Sequence, residues 1–271
     1  MIYLFTILTF VLAVVTKPLF LNLLLESQLI QNNYKREVIP TGMGLYLFFN
    51  LATSWSLGYL SGIYTLQSFV LLLMLSGFFA FLGFIDDILG DKKERGFIGH
   101  FGSLINGKLT TGGLKALGAA VISLVVVYYI SDTVTETFIS WLTLLFVTNF
   151  INLLDLRPGR ALKMFTAGLL FLFVFTWQLD IWYLAIPILA ALTFYFPMDI
   201  SAEAMMGDTG ANLLGGVLGY FIIQTVGVLG EGVILFSIAL VNLYSERNSL
   251  SAYIEKNRVL DFFDKMGRDD I

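Results

Sequence analysis

The sequence feature that most constrains the fold is a long apolar run that ends on two acidic residues. The nineteen residues 66–84 carry no charged side chain, and Asp86 and Asp87 follow after one further residue. A helix rises about 1.5 Å per residue, so this run is long enough to cross the hydrocarbon core of a bilayer. Carboxylates at the edge of a membrane are costly unless a cation or a substrate compensates them. Asp86 and Asp87 are therefore candidate functional residues; the alternative is that they only solvate the helix end.

Similar apolar runs recur along the whole chain. Hydrophobic residues make up 57% of the sequence and charged residues 13%, whereas a soluble protein carries about 25% charged residues. The sequence therefore predicts an all-α, polytopic integral membrane protein with about nine transmembrane helices. The predicted spans are 1–25, 42–60, 66–85, 112–130, 137–154, 161–179, 181–198, 209–227 and 231–244. The first run lacks a basic leading segment and a small-residue cleavage site, so we expect a mature helix rather than a signal peptide.

The distribution of Lys and Arg predicts the orientation of these spans. With the amino terminus outside, all sixteen Lys and Arg residues fall on or near one side of the membrane. The connections on the other side, 61–65, 131–136, 180 and 227–230, contain none. By the positive-inside rule the basic side is cytoplasmic. The acidic pair after the third span is then expected on the cytoplasmic face.

Several absences in the sequence narrow the function. There is no inverted internal repeat and no charged residue near the middle of any predicted span, which argues against a transporter. The chain has no cysteine, so neither a disulfide framework nor thiolate chemistry is available. Chemistry is therefore expected at the cytoplasmic ends of the helices.

A second polar stretch ends the fifth predicted span. Asn149, Asn152 and Asp155 are spaced three residues apart, which places them near one face of a helix. They are candidate ligands for a polar substrate. The alternative is that the asparagines form hydrogen bonds between membrane helices.

A third stretch, Met206-Gly207-Asp208-Thr209-Gly210, leads into an apolar helix. Glycines beside Asp208 allow close backbone approach, and the free N–H groups of a helix start favour phosphate; the alternative is an aspartate helix cap. Carboxylate and amide oxygens suit Mg²⁺, which takes one or two carboxylates together with substrate phosphates. Lys and Arg in the same loops are suited to hold further phosphate oxygens. Such a site at the lipid boundary indicates a phosphorylated soluble donor that meets a phosphorylated lipid.

The three stretches, in this order, resemble the polyprenyl-phosphate N-acetylhexosamine-1-phosphate transferases. The matching pieces are Gly83-Phe84-Ile85-Asp86-Asp87, Asn149-x-x-Asn152-x-x-Asp155 and Met206-Gly207-Asp208-Thr209-Gly210. The resemblance covers about residues 15–225 and includes the loop 35–44 before the second span. It implies transfer of a sugar 1-phosphate from a nucleoside diphosphate sugar, expected to be a UDP-N-acetylhexosamine, to polyprenyl phosphate. Nucleoside monophosphate would be released, in cell-envelope glycopolymer synthesis.

The resemblance also implies roles for individual residues and partners. The implied catalytic residues are Asp86 and Asp87, the implied ligands of Mg²⁺ (or Mn²⁺) are Asp208 and Asp87, and the implied substrate-binding residues are Asn149, Asn152, Asp155 and Lys115. The implied location is the bacterial cytoplasmic membrane, with a homodimer as a further expectation and no nucleic-acid partner. Residues 1–244 would form the transmembrane catalytic domain. Residues 245–271 would form a cytoplasmic tail, whose amphipathic pattern predicts packing or partner binding rather than chemistry.

Two departures from the family pattern support an alternative function. The family continues its asparagine motif with Gly-x-Asp-Gly, but here Leu156-Arg157-Pro158-Gly159-Arg160 follows. Many members also carry a histidine-rich loop near the carboxyl end, whereas this chain has the single histidine His100, interpreted as an ordinary loop residue. The alternative is a catalytically silent homologue that binds polyprenyl phosphate or a partner protein.

Overall fold

The computed structural model describes residues 1–90 and 110–268, which are mainly helical. The helices are α1 (Ile2–Glu26), α2 (Gly44–Leu60), α3 (Leu66–Leu89), α4 (Thr111–Ile130), α5 (Val134–Leu154), α6 (Arg160–Thr176), α7 (Leu179–Ile200), α8 (Gly207–Thr225), α9 (Val228–Arg247), α10 (Leu250–Lys256) and α11 (Arg258–Lys265). Two short strands, β1 (Ile30–Asn32) and β2 (Val38–Pro40), form an antiparallel pair between α1 and α2.

Helices α1 to α9 lie over the nine predicted spans. Within the described residues, six of them (α1, α3, α4, α5, α7 and α9) are long and apolar enough to cross a membrane. Helices α2 and α6 have 17 residues each, which is short for a bilayer. The prediction of a helical, multi-pass membrane protein is confirmed. Nine crossings and an outside amino terminus remain predictions.

The β1–β2 hairpin is a feature that the all-α prediction missed. Ile30 pairs with Pro40 in the strand register. The turn is built by Asn33, whose side-chain oxygen accepts the backbone N–H groups of Lys35 and Glu37, both at 2.9 Å. An asparagine that binds the backbone two residues ahead mimics a turn, so a local side-chain contact organises this connection.

Helix α8 is the central element of the bundle. Every residue from Thr209 to Ile222 is buried, and α8 packs most extensively against α3 and α5. Small residues allow this closeness: a Cβ on Gly215 would lie 2.6 Å from the Cα of Thr148 in α5. The start of α8 is therefore fixed relative to the ends of α3 and α5, where the three motifs lie.

The carboxyl-terminal tail forms two short helices, α10 and α11. The side-chain oxygen of Asn257 accepts the N–H groups of Val259 and Leu260 at 3.0 and 3.2 Å and so caps α11. The tail returns to the body of the protein at Arg160, the first residue of α6, which forms an ion pair with Asp264. It therefore contacts the connection that follows the asparagine motif.

Candidate active site

Asp87 joins the end of α3 to the start of α8. One carboxylate oxygen accepts the N–H of Asp208 at 2.8 Å, and the other accepts the N–H and the hydroxyl of Thr209 at 3.0 and 2.6 Å. The first N–H groups of a helix lack hydrogen-bond partners within it. Here the side chain of Asp87, from another helix, accepts two of them. Asp87 thus fixes the position of Asp208.

Glycines make this junction close. A Cβ on Gly83 would collide with the backbone of Asp208 and Thr209, and a Cβ on Gly207 would collide with the carboxylate of Asp87. Gly207 also has φ +69, a left-handed conformation that glycine adopts without steric cost. Gly83 and Gly207 are therefore required for the contact between the first and third motifs.

Lys115, near the start of α4, lies between two carboxylates of this junction. Its Nζ is 2.9 Å from Oδ2 of Asp86 and also forms an ion pair with Asp208. The side chains of Lys115 and Asp86 are each 20% exposed and that of Asp208 is 32% exposed, so the cluster is open to solvent on one side. Residues from α3, α4 and α8 thus meet around one positive charge.

The asparagine motif divides between two environments. Asn149 donates its side-chain N–H to Asn242 of α9, a hydrogen bond between helices of the kind that membrane bundles use. The side-chain oxygen of Asn152 is buried and has no hydrogen-bond partner among the described residues. Because buried polar groups are normally paired, Asn152 is the better candidate to bind a ligand.

Asp155, directly after α5, is influenced by the other site carboxylates. Burial, together with the negative charges of Asp199, Asp208 and Asp87, raises the pKa of Asp155 well above its usual range. The second motif lies at the end of α5, which packs against α8. Asp155 is therefore subject to the negative charge of residues in the first and third motifs.

Asp199 is a residue of this region that the motif analysis missed. Its carboxylate, 5% exposed, accepts the hydroxyl of Tyr195 and the backbone N–H of Gly159, both at 2.7 Å. It thereby holds the loop after Asp155. The available signal was an aspartate at the end of an apolar helix, four residues after a tyrosine.

The carboxylate oxygens of the site suit Mg²⁺ chemically, but Mg²⁺ would need further ligands to complete its coordination. Asp86 and Asp208 offer hard oxygens around one positive charge, whereas the oxygens of Asp87 already accept three hydrogen bonds. Within residues 1–90 and 110–268, no three acidic or histidine side chains form a group that could hold a metal ion. Mg²⁺ commonly takes one or two carboxylates and completes its coordination with water and substrate phosphates. His100 lies outside the described residues.

Comparison with known proteins gives the family. The model of the family described as "Glycosyl transferase family 4" matches residues 69–226. The phospho-N-acetylmuramoyl-pentapeptide-transferases of Borrelia garinii subsp. bavariensis and of Borreliella afzelii are each 30% identical over 229 residues, which cover 74% of this chain and 63% of the relative. The chain thus spans less than two thirds of these relatives' length. The matched segment contains all three motifs and Lys115, and the chain belongs to glycosyl transferase family 4, as its resemblance to the polyprenyl-phosphate N-acetylhexosamine-1-phosphate transferases predicts.

Proposed function

We propose that the protein transfers a sugar 1-phosphate from a nucleoside diphosphate sugar, expected to be a UDP-N-acetylhexosamine, to polyprenyl phosphate. An oxygen of the lipid phosphate attacks the sugar-bound phosphorus, and the bond from that phosphorus to the bridging oxygen breaks. Nucleoside monophosphate leaves with the bridging oxygen. Both relatives are named phospho-N-acetylmuramoyl-pentapeptide-transferases, which supports this reaction class.

The observation that carries the proposal is the convergence of Asp86, Lys115 and Asp208 from three helices. Phosphoryl transfer requires charge neutralisation and positioning more than covalent catalysis. The ammonium group of Lys115 lies at this point and neutralises the charge of phosphate oxygens. Asp86, partly exposed beside it, is placed to accept hydrogen bonds or a proton from the attacking phosphate.

Asp208 and Asp86 are the side chains best placed to hold Mg²⁺, with Asp87 as the further predicted ligand. When bound, Mg²⁺ supplies charge neutralisation on the diphosphate. The three hydrogen bonds of Asp87 to the start of α8 favour a role in holding Asp208. Asn152 and Asp155 orient the donor, and Asn149 supports them through its bond to α9.

The proposed setting is the bacterial cytoplasmic membrane. Nine crossings with an outside amino terminus place the site on the cytoplasmic face, where nucleotide sugars are made. The one-sided distribution of Lys and Arg supports this orientation. A homodimer is compatible with this arrangement, and no nucleic acid takes part.

The direct test uses purified protein, polyprenyl phosphate and a panel of labelled UDP-N-acetylhexosamines with Mg²⁺. We expect labelled lipid and nucleoside monophosphate to form together in equal amounts. Omission of the lipid, or chelation of the metal, should abolish both products, and Mn²⁺ should restore part of the rate. Lipid binding without product from any donor would instead establish the catalytically silent alternative.

A further inference from the structure

The tail makes polar contacts with the loop that follows Asp155 and with the start of α6. Residues 155–159 join α5 to α6. In the tail, Arg268 donates its Nε hydrogen to the carbonyl oxygen of Pro158 at 2.8 Å. Next to the loop, Arg160 donates from Nε and Nη2 to the two oxygens of Asp264 at 2.7 and 2.8 Å. We call Arg160, Asp264 and Arg268 the tail clamp.

The tail clamp is closed to solvent and fully charged. Its three side chains are only 5–7% exposed, and Arg268 also donates to Asp264 at 2.8 Å. Burial alone would raise the pKa of Asp264, but the hydrogen bonds and charges of Arg160 and Arg268 outweigh it and lower that pKa. Bidentate guanidinium–carboxylate bonds constrain direction as well as distance. The clamp therefore fixes the geometry of the loop more narrowly than apolar contacts would.

Apolar packing between the tail and the body is incomplete. A cavity of about 900 Å³ is lined on one side by Leu260 and Phe263 of the tail and on the other by Leu170 of α6 and Leu189 of α7. Beside this cavity the tail is attached by the clamp, by Lys163, which donates to the carbonyl oxygen of Asp264 at 2.7 Å, and by the buried side chain of Ile254.

The loop is held from two sides. Asp199 of α7 binds the N–H of Gly159, and the tail binds the carbonyl oxygen of Pro158. These anchors lie three and four residues after Asp155. A shift of the loop would therefore move the Asp155 carboxylate relative to the site.

We infer that Arg160, Asp264 and Arg268 are positioning residues that keep the Asp155 carboxylate in place through this loop. The inference rests on the proposed function, in which Asp155 orients the donor. It also accounts for the departure at residues 156–160, because the arginine that ends this stretch is the partner of the tail. It gives the tail a part in the reaction, where the sequence predicted packing or partner binding.

The test compares Asp264→Asn with Asp261→Asn in the full chain. Asp261 lies on the same helix and pairs with Lys265 at 2.8 Å, so it is a matched control. We expect Asp264→Asn to raise hydrogen–deuterium exchange in residues 155–160 and to raise KM for the nucleotide sugar by about ten- to a hundredfold. KM for polyprenyl phosphate should change little. Asp261→Asn should leave all three unchanged, and Asp264→Glu should restore part of the KM.

Each outcome decides the inference. Unchanged exchange in residues 155–160, an unchanged donor KM, or equal effects of Asp264→Asn and Asp261→Asn would overturn it. If Asp264→Asn does not fold, Arg268→Lys replaces it, because it keeps a positive charge near Asp264 and removes the Nε donor to Pro158. If the wild-type protein gives no product with any donor, the proposed function fails. The exchange of residues 155–160 then decides whether the clamp holds the loop.

Discussion

Two charged clusters near the same end of the bundle have opposite composition. The open cluster has two carboxylates, Asp86 and Asp208, around one ammonium, which leaves one negative charge in excess. The tail clamp has two guanidinium groups around one carboxylate, which leaves one positive charge in excess. Open-cluster side chains are 20–32% exposed and clamp side chains 5–7%. An exposed cluster with excess negative charge is suited to exchange one bound cation for another. A buried ion cluster is suited to maintain the local structure.

The largest expected effect separates chemistry from folding at the open cluster. Asp208→Asn keeps the size of the side chain and removes the charge that a hard cation requires. We expect a loss of transfer rate on the order of a thousandfold or more, with normal size-exclusion behaviour and circular dichroism. Nucleoside monophosphate release measures the rate, and Asp132→Asn, at the opposite end of α4, is the control. A wild-type rate at limiting Mg²⁺ would show that the metal site lies elsewhere.

The second prediction tests whether the clamp mainly maintains structure. Asp264→Ala leaves two buried guanidinium groups without their carboxylate, so the free energy of unfolding should fall by about 3–5 kcal/mol. Asp86→Ala should lower it less, because Lys115 keeps Asp208 as a partner. Thermal unfolding in detergent, followed by circular dichroism, compares the two variants. Equal losses would remove the distinction between the clusters.

The third prediction uses pH, because the pKa of Asp155 is raised and the pKa of Asp264 is lowered. The raised pKa of Asp155 means that the folded protein binds its proton more tightly, so stability falls as pH rises above the ordinary carboxyl value of about 3.9. Asp155→Asn should lessen this fall. The lowered pKa of Asp264 contributes stability that is lost as pH drops below that value. Asp264→Asn should lessen the acid loss. Unfolding midpoints measured on both sides of the ordinary carboxyl value, about 3.9, would check both expectations.

The smallest expected effect is at an exposed pair on the same helix as the clamp. The Lys265 side chain is 50% exposed in its contact with Asp261. Exposed ion pairs between neighbouring helix turns contribute about 0.3–0.5 kcal/mol, so Lys265→Ala should lower the free energy of unfolding by no more than this. The same unfolding measurement serves here. A loss as large as that of Asp264→Ala would mean that any change in α11 releases the tail.

The sequence located the helix ends at which the candidate site lies, because its information there is local. An apolar run ending on Asp86 and Asp87, and a glycine–aspartate pair before another apolar run, locate helix ends directly. Helices that cross in alternate directions bring such ends together on one side. The role of Lys115 came only from the family resemblance, since a single lysine at a helix start carries no pattern of its own.

The clamp and the hairpin could not be predicted in this way. Arg160 and Asp264 are 104 residues apart, and neither hydrophobic periodicity nor a motif indicates which distant charges pair. The amphipathic pattern of the tail predicts packing or partner binding, but it does not indicate the buried ion cluster that the tail forms with Arg160. At the hairpin, Asn33 organises the turn through its own side chain. Such local bonds from a side chain to the backbone compete with helix formation.

The glycine at position 83 has a mechanical consequence. Because the backbones of α3 and α8 meet there without an intervening side chain, the spacing of Asp86 and Asp208 is set by main-chain contact. The two carboxylates then behave as parts of one stiff body. In the proposed reaction, adjustment to the diphosphate would depend on the long, flexible side chain of Lys115, which extends from α4. Gly83→Ala would therefore change the spacing of the carboxylates in the cluster, although the added methyl group contacts only main-chain atoms.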